Sequence, residues 1–244
     1  MIDTHAHLDA LDDPAGAVAR ACAAGVDRIV AIGSGLASAR TTVEIAERED
    51  GVFAAVGIHP HQAADGESLE DLAGLVDENV VAVGEIGLDF YRDYAPRDDQ
   101  RRVFATQLRL AAELGKAVIV HSRAADEETA AMLAGFEGTV VLHCFSSPGL
   151  LPVALKRSYY ISFAGNVTYP KATELRDAAA QVPAERILAE TDCPYLAPQP
   201  VRGKTNEPAY VVHTVAALAD TRGEATDELA RRIDANAAAA FGLP

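Results

Sequence analysis

Ala117-Val118-Ile119-Val120-His121 is a short apolar run, rich in β-branched residues, that stops on a histidine. Such a run reads as a buried strand. The residues before it read differently. Over 97–115, Phe104, Leu108, Ala111 and Ala112 recur at helical spacing on one face, and Gly115 fits as the stop of that helix. The unit recurs outward in both directions. Apolar runs lie at 2–4, 28–32, 52–58, 80–85, 139–143, 159–163 and 187–191, with helical material between them. Eight strands alternating with helices, each apolar on both faces, predict an α/β fold, a (β/α)8 TIM barrel; a doubly wound open sheet is the competing arrangement. Two extra C-terminal helices follow, at about 208–220 and 226–241, the second with Leu229, Ile233, Ala237 and Phe241 four apart and Thr226 as N-cap.

The 244 residues suit one barrel of about 250 residues, so 1–244 is expected to be a single TIM-barrel domain. No linker, repeat or low-complexity tract divides the sequence. A basic-then-apolar leader and an apolar run of membrane length are both missing, which predicts a cytoplasmic protein with no membrane partner. Cys22, Cys144 and Cys193 are odd in number and scattered, unlike a disulfide framework. The net charge of −15 argues against a protein that coats nucleic acid through a broad basic face. It leaves room for an enzyme that grips a few phosphates.

In a barrel the chemistry sits where strands run out into loops, and here those positions hold imidazoles and carboxylates. The first strand ends in His5 and His7, which share a face by the two-residue period of a strand. The third run leads to His59 and His61, the fourth ends in Glu85, the fifth in His121, the sixth in His143 and the eighth in Asp192. Only His213 lies on a helix, and it is read as a surface or packing residue. Nitrogen and oxygen donors without thiolates are the set of a catalytic divalent site. Two metals are arithmetically possible: Glu85 between them, His5, His7 and Asp192 for one, His121 and His143 for the other. Parity turns Cys144 away from the site, into the core. Asp3 shares the parity of His5 and Glu190 that of Asp192; each either orients an imidazole from behind or forms a salt bridge within the barrel.

The segments Asp3-Thr4-His5-Ala6-His7, Gly57-Ile58-His59-Pro60-His61, Gly84-Glu85-Ile86-Gly87-Leu88-Asp89-Phe90-Tyr91, His121-Ser122-Arg123, His143-Cys144-Phe145-Ser146 and Glu190-Thr191-Asp192-Cys193-Pro194-Tyr195-Leu196 together resemble the TatD family of metal-dependent deoxyribonucleases, within the amidohydrolase-like superfamily. The resemblance continues through Arg202-Gly203-Lys204-Thr205-Asn206-Glu207-Pro208 to Phe241-Gly242-Leu243. It implies a barrel with two divalent metal ions (Mg2+, Mn2+ or Zn2+) and hydrolysis of phosphodiester bonds in single-stranded DNA, with RNA also possible. His5, His7, Glu85, His121, His143 and Asp192 match the family's metal ligands, and His59 its active site. Three positions depart from the family pattern: Ala124 replaces an acid, Thr205 a second basic residue, and Ser147-Pro148 a glycine-containing turn.

The donor set by itself also predicts hydrolysis, with water as the nucleophile. Glu85, Asp192 and His59 are the expected catalytic residues: Asp192 as base, His59 as acid or phosphate ligand on the strength of an imidazole pKa in the useful range. Arg92, Arg97, Arg123, Arg202 and Lys204 all follow strand ends. Arg123, Arg202 and Lys204 are the expected substrate-binding residues, unless such groups pair with Asp89, Asp93, Asp98, Asp99 or Glu207. Tyr91 and Tyr94 either stack on bases or pack locally. The alternatives are a hydrolase of a carbon centre (amidohydrolase, lactonase or aminoacyl-tRNA ester deacylase) and a non-catalytic binding barrel. A monomer is expected.

Overall fold

In the computed structural model, which describes residues 1–92 and 94–244, eight parallel strands are hydrogen-bonded in the order of the sequence: β1 (Ile2–Ala6), β2 (Arg28–Ser34), β3 (Val52–Gly57), β4 (Val80–Asp89), β5 (Ala117–Arg123), β6 (Val140–Leu142), β7 (Tyr160–Phe163) and β8 (Ile187–Ala189). A doubly wound sheet would reverse its strand order partway, so that alternative is excluded. The barrel nearly closes. Beyond β8, the Asp192 amide donates to the His5 carbonyl and the His7 amide to the Cys193 carbonyl, both at 2.9 Å.

Between the strands run α1 (Pro14–Ala23), α2 (Leu36–Arg48), α3 (Leu69–Ala73), α4 (Arg97–Leu114), α5 (Asp126–Leu133), α6 (Leu151–Lys156) and α7 (Thr173–Gln181), followed by α8 (Val211–Arg222) and α9 (Thr226–Phe241). Helix α4 matches its expected span, and Gly115 ends it in the left-handed region. Helix α9 packs on β8 and β1, over the seam, through buried Leu229, Ile233, Ala237 and Phe241. Thr226 is its first residue, not its cap; Ala225 holds that place without a side-chain bond. Helix α8 starts at Val211, after one 3-10 turn at Pro208–Tyr210.

Strand ends differ from their expected positions, and each difference moves a site residue. Strand β4 runs on to Asp89 with all ten residues buried, so Glu85 sits in mid-strand. Gly87 permits this: its φ is 140°, and a Cβ there would lie 2.0 Å from the His121 carbonyl oxygen of β5. Conversely, β6 stops at Leu142 and β8 at Ala189, short of His143 and Asp192. The chain there leaves extended geometry, with Cys144 at φ 42° and Asp192 at φ 56°.

Helix α4 also anchors the loop after β3. Buried Gln107 accepts from the Ile58 amide at 2.7 Å and donates to the Ile58 carbonyl at 3.0 Å, one residue before His59. Gln107→Ala strands both backbone groups, an expected cost of about 3 kcal/mol. The melting temperature should then fall by roughly 6–12 °C in a thermal scan. An unchanged value would mean that water replaces the amide.

Candidate active site

At the C-terminal mouth of the barrel lies a cleft of about 1000 Å³, lined in part by His7, His59, Glu85, His121, His143 and Asp192. His5 lies beneath it, fully buried. The Glu85 carboxylate is at the centre. Its Oε1 is 2.7 Å from His143 Nε2, 2.8 Å from His121 Nδ1 and 3.3 Å from His59 Nε2. Its Oε2 is 3.5 Å from His5 Nε2 and 3.7 Å from His7 Nε2. Asp192 Oδ1 faces the same pair, 3.8 Å from His5 and 3.5 Å from His7. The left-handed backbone of Asp192, a conformation that aspartate tolerates better than most residues, turns its carboxylate into the mouth.

Burial by itself pushes the Glu85 carboxyl up, yet the imidazoles of His143, His59 and His121 hold it well below the usual range. His143 is the counterpart. Burial disfavours its cation, but Glu85 and Glu190 raise it well above an ordinary imidazole. These are the groups to expect where a cation belongs.

The geometry fits one. His5 Nε2 and His7 Nε2 face each other at 3.4 Å, as do His121 Nδ1 and His143 Nε2. Each pair also lies against Glu85, Oε2 for the first and Oε1 for the second, so two nitrogens and a carboxylate oxygen converge on one point, as the donors around a cation do. A separation of about 3.4 Å is the edge of a tetrahedron with metal–nitrogen bonds of about 2.1 Å. Three groups, His5 with His7 and Glu85, His5 with His143 and Asp192, and His59 with Glu85 and His121, each bring one donor atom per residue within 4.8 Å of the others.

Hydrogen bonds from behind set which ring nitrogen is free. His143 Nδ1 donates to Glu190 Oε1 at 3.2 Å, leaving Nε2 directed at Glu85. His121 Nε2 donates to Asp89 Oδ2 at 3.3 Å, leaving Nδ1. His59 is held the other way. Its Nδ1 accepts from the His61 amide at 3.1 Å, so its Nε2 carries the proton and points it at Glu85. Burial pushes its pKa down to about 4, below the range expected of a general acid. His59 therefore enters the site as a neutral donor.

Of the two acids read as orienting groups, Glu190 holds an imidazole. Asp3 instead holds backbone: it accepts from the Thr191 amide at 2.9 Å and the His5 amide at 3.3 Å, and from the Thr191 hydroxyl at 2.5 Å. Burial raises its pKa to about 8. Cys144 reverses its expected orientation and lines the cleft, because its positive φ ends strand alternation at His143; its amide donates to Glu190 Oε1 at 2.8 Å. Cys193 is buried.

Asp89 was missed as a site residue and read as a partner for basic groups. It is buried, and its Oδ2 also accepts from His61 Nε2 at 2.9 Å. Buried Gln100 brackets its backbone, accepting from the Asp89 amide and donating to the Asp89 carbonyl. The signal was present: Asp89 has the strand parity of Glu85, but shows it only if β4 continues past residue 85.

The basic residues keep their charge free among the described residues. Asp98 pairs with Arg101, Asp99 with Arg102 and Glu207 with Arg20, while Asp93 lies outside the described residues. No described carboxylate lies within 4.0 Å of Arg92, Arg97, Arg123, Arg202 or Lys204. Arg92 and Arg123 line the cleft. Arg202 stacks on Tyr169 at 4.1 Å, and it and exposed Lys204 are outside that lining. Tyr91, Tyr94 and Tyr195 are 65%, 65% and 59% exposed, Tyr94 edge-on to His61 and Tyr195 edge-on to His7. His213 lies on α8 beside Tyr210. No helix is long and apolar enough to cross a membrane, among the described residues.

The profile of the TatD related DNase family matches residues 2–242. The metal-dependent hydrolase YabD of Bacillus subtilis is 37% identical, across 100% of this chain and 99% of its own length. The 3'-5' ssDNA/RNA exonuclease TatD of Klebsiella pneumoniae is 36% identical over 93% of this chain and 90% of its own. Among solved structures, the TatD homolog YJJV of Escherichia coli superposes with a TM-score of 0.91 at 30% identity, covering 100% of this chain and 98% of the other. With this barrel, these motifs and an end-to-end match, the chain belongs to the TatD related DNase family of metal-dependent hydrolases.

Proposed function

We propose that the protein hydrolyses phosphodiester bonds of single-stranded DNA, and RNA by the same site, using two divalent ions, Mg2+, Mn2+ or Zn2+. One observation carries this reading: Glu85 offers one oxygen to His5 and His7 and the other to His121 and His143, in a cleft lined by arginines that have no acidic partner among the described residues and rimmed by exposed tyrosines. When bound, divalent ions stabilise charge on a phosphoryl oxygen and lower the pKa of water toward neutrality.

The chain's own residues do the rest. His5, His7 and Asp192 would hold one ion and His121 and His143 the other, with Glu85 available to both. Asp192 Oδ1 is turned to His5 and His7, so its Oδ2 is the atom to take a proton from the attacking water. The neutral Nε2–H of His59 donates to a phosphate or leaving-group oxygen. Arg123, whose guanidinium lies 4.1 Å over the Tyr91 ring, neutralises a neighbouring phosphate while the tyrosine offers a stacking face. Arg202 and Lys204 act farther out, on a longer strand. The exposed large apolar side chains among the described residues are Leu114 and the three tyrosines of the rim, which suits a monomer working as one unit.

Purified protein should release nucleotides from a single-stranded oligonucleotide when Mg2+ or Mn2+ is added, and stop on chelation. A lactone and an aminoacyl-tRNA ester belong in the same assay. Turnover of either without any diester cleavage would reject the nuclease reading in favour of chemistry at carbon.

A further inference from the structure

Nine buried side-chain nitrogen or oxygen atoms lack a hydrogen-bond partner among the described residues, and three of them, Asp9 Oδ1, Ser34 Oγ and Gln62 Oε1, lie on residues that line one sector of the catalytic cleft. Each of these atoms is closed to solvent on a residue only partly buried at the cleft, and buried polar atoms are ordinarily satisfied, so orphans clustered on residues that line one cavity mark a place where a bound group completes them. The three come from consecutive strand ends. Asp9 is two residues past His7, Ser34 ends β2, and Gln62 is three residues past His59.

Each is held from behind. Ser38, in the first turn of α2, donates its hydroxyl to Asp9 Oδ2 at 2.6 Å and accepts the Ser34 amide at 3.0 Å. That fixes the Asp9 carboxylate with Oδ1 free and sets the Ser34 backbone. Gln62 lies against Gly35, whose φ is 93° and where a Cβ would come within 2.7 Å of the Gln62 amide. Glycine there makes room for the carboxamide. Two of the three free atoms are acceptors and the third, a hydroxyl, both donates and accepts. A phosphate would be repelled by this wall. The cleft's arginines lie elsewhere, Arg92 in the loop after β4 and Arg123 as the last residue of β5.

We propose that Asp9, Ser34 and Gln62 form a recognition subsite for a hydrogen-bond-donating group, an exocyclic base amine or a ribose 2'-hydroxyl, on the nucleotide bound beside the scissile phosphate. The proposal rests on the nuclease reading and adds selectivity to it. A ligand that brings the donor satisfies the wall; one that lacks it leaves acceptors buried and unpaired, which is the strongest basis for discrimination that a polar pocket has.

Calorimetric titration of the protein in Mn2+ with dAMP, dCMP, dTMP and AMP tests it. If the group is a base amine, dAMP and dCMP bind at least about fivefold tighter than dTMP, which has no exocyclic amine; if it is the ribose hydroxyl, AMP binds at least about fivefold tighter than dAMP. In either case Ser34→Ala and Gln62→Ala should bring the preferred ratio to within about twofold, with thermal melts recorded to show that both variants are folded. Equal binding of all four nucleotides by the unmodified protein, or an undiminished ratio in folded variants, overturns the subsite. Bis(4-nitrophenyl) phosphate separates the two failures. Its hydrolysis together with flat nucleotide ratios removes the subsite alone, whereas failure to cleave it or any oligonucleotide removes the nuclease reading and the nucleotide subsite with it.

Discussion

Glu85→Ala is expected to lower kcat on a single-stranded oligonucleotide by at least about a thousandfold. Every imidazole at the mouth except His61 is oriented toward this one carboxylate: three nitrogens lie within 3.3 Å of Oε1 and two within 3.7 Å of Oε2. Removing it leaves nitrogen donors facing one another without the negative charge that makes the site attractive to a cation. The loss therefore falls on ion binding first and on the reaction through it. Metal content after dialysis, measured beside the kinetics, should drop in parallel. Glu85→Gln keeps the volume but not the charge and should fail almost as completely, which a loss due to packing alone would not do. Activity within about tenfold of the parent, with the full metal content, would remove Glu85 from the centre of the site.

Divalent ions should also stabilise the fold. Ligands that bind only the folded chain add stability by mass action, about 4 kcal/mol at a thousandfold excess over Kd. For a domain of this size that raises the melting temperature by about 8–16 °C. The donors come from β1, β4 and β5 and from the turns after β6 and β8, so a bound ion ties both ends of the chain across the incomplete seam. Thermal scans with Mg2+, Mn2+ and Zn2+ should show the shift, and stoichiometric titration should break at two equivalents. A single break at one equivalent would replace the two-ion centre by one ion, and no shift with any of the three would exclude a site of useful affinity. In Glu85→Ala the shift should shrink with the activity.

How far such a site is legible depends on how local its signals are. Helical periodicity in α4 and β-branched runs are local, and they were enough for strand number, order and the barrel. The histidines that follow those runs placed His5, His7, His121 and His143 at one mouth, because parallel strands of a barrel all end on the same side. Side-chain direction was less secure. Parity holds only while the chain stays extended, so it worked for His5 and His7 and failed for Cys144, where φ turns positive. It missed Asp89 for the opposite reason, since β4 stays extended longer than its apolar run suggests.

The pairing of charges was not legible at all. The nearby acids Asp98, Asp99 and Glu207 take Arg101, Arg102 and Arg20 instead of the cleft's arginines, and Asp89 takes two histidines. Such choices depend on distances between loops that meet only after the sheet has curled. Composition and periodicity, acting along the chain, thus determined that eight strands form a barrel and which residue types crown it. Tertiary structure decided which nitrogen of each imidazole is free, which acids stand behind them and which wall of the cleft is left unsatisfied, because those depend on hydrogen bonds between segments far apart in the chain, and hydrogen bonds are sensitive to tenths of an ångström that no sequence pattern specifies.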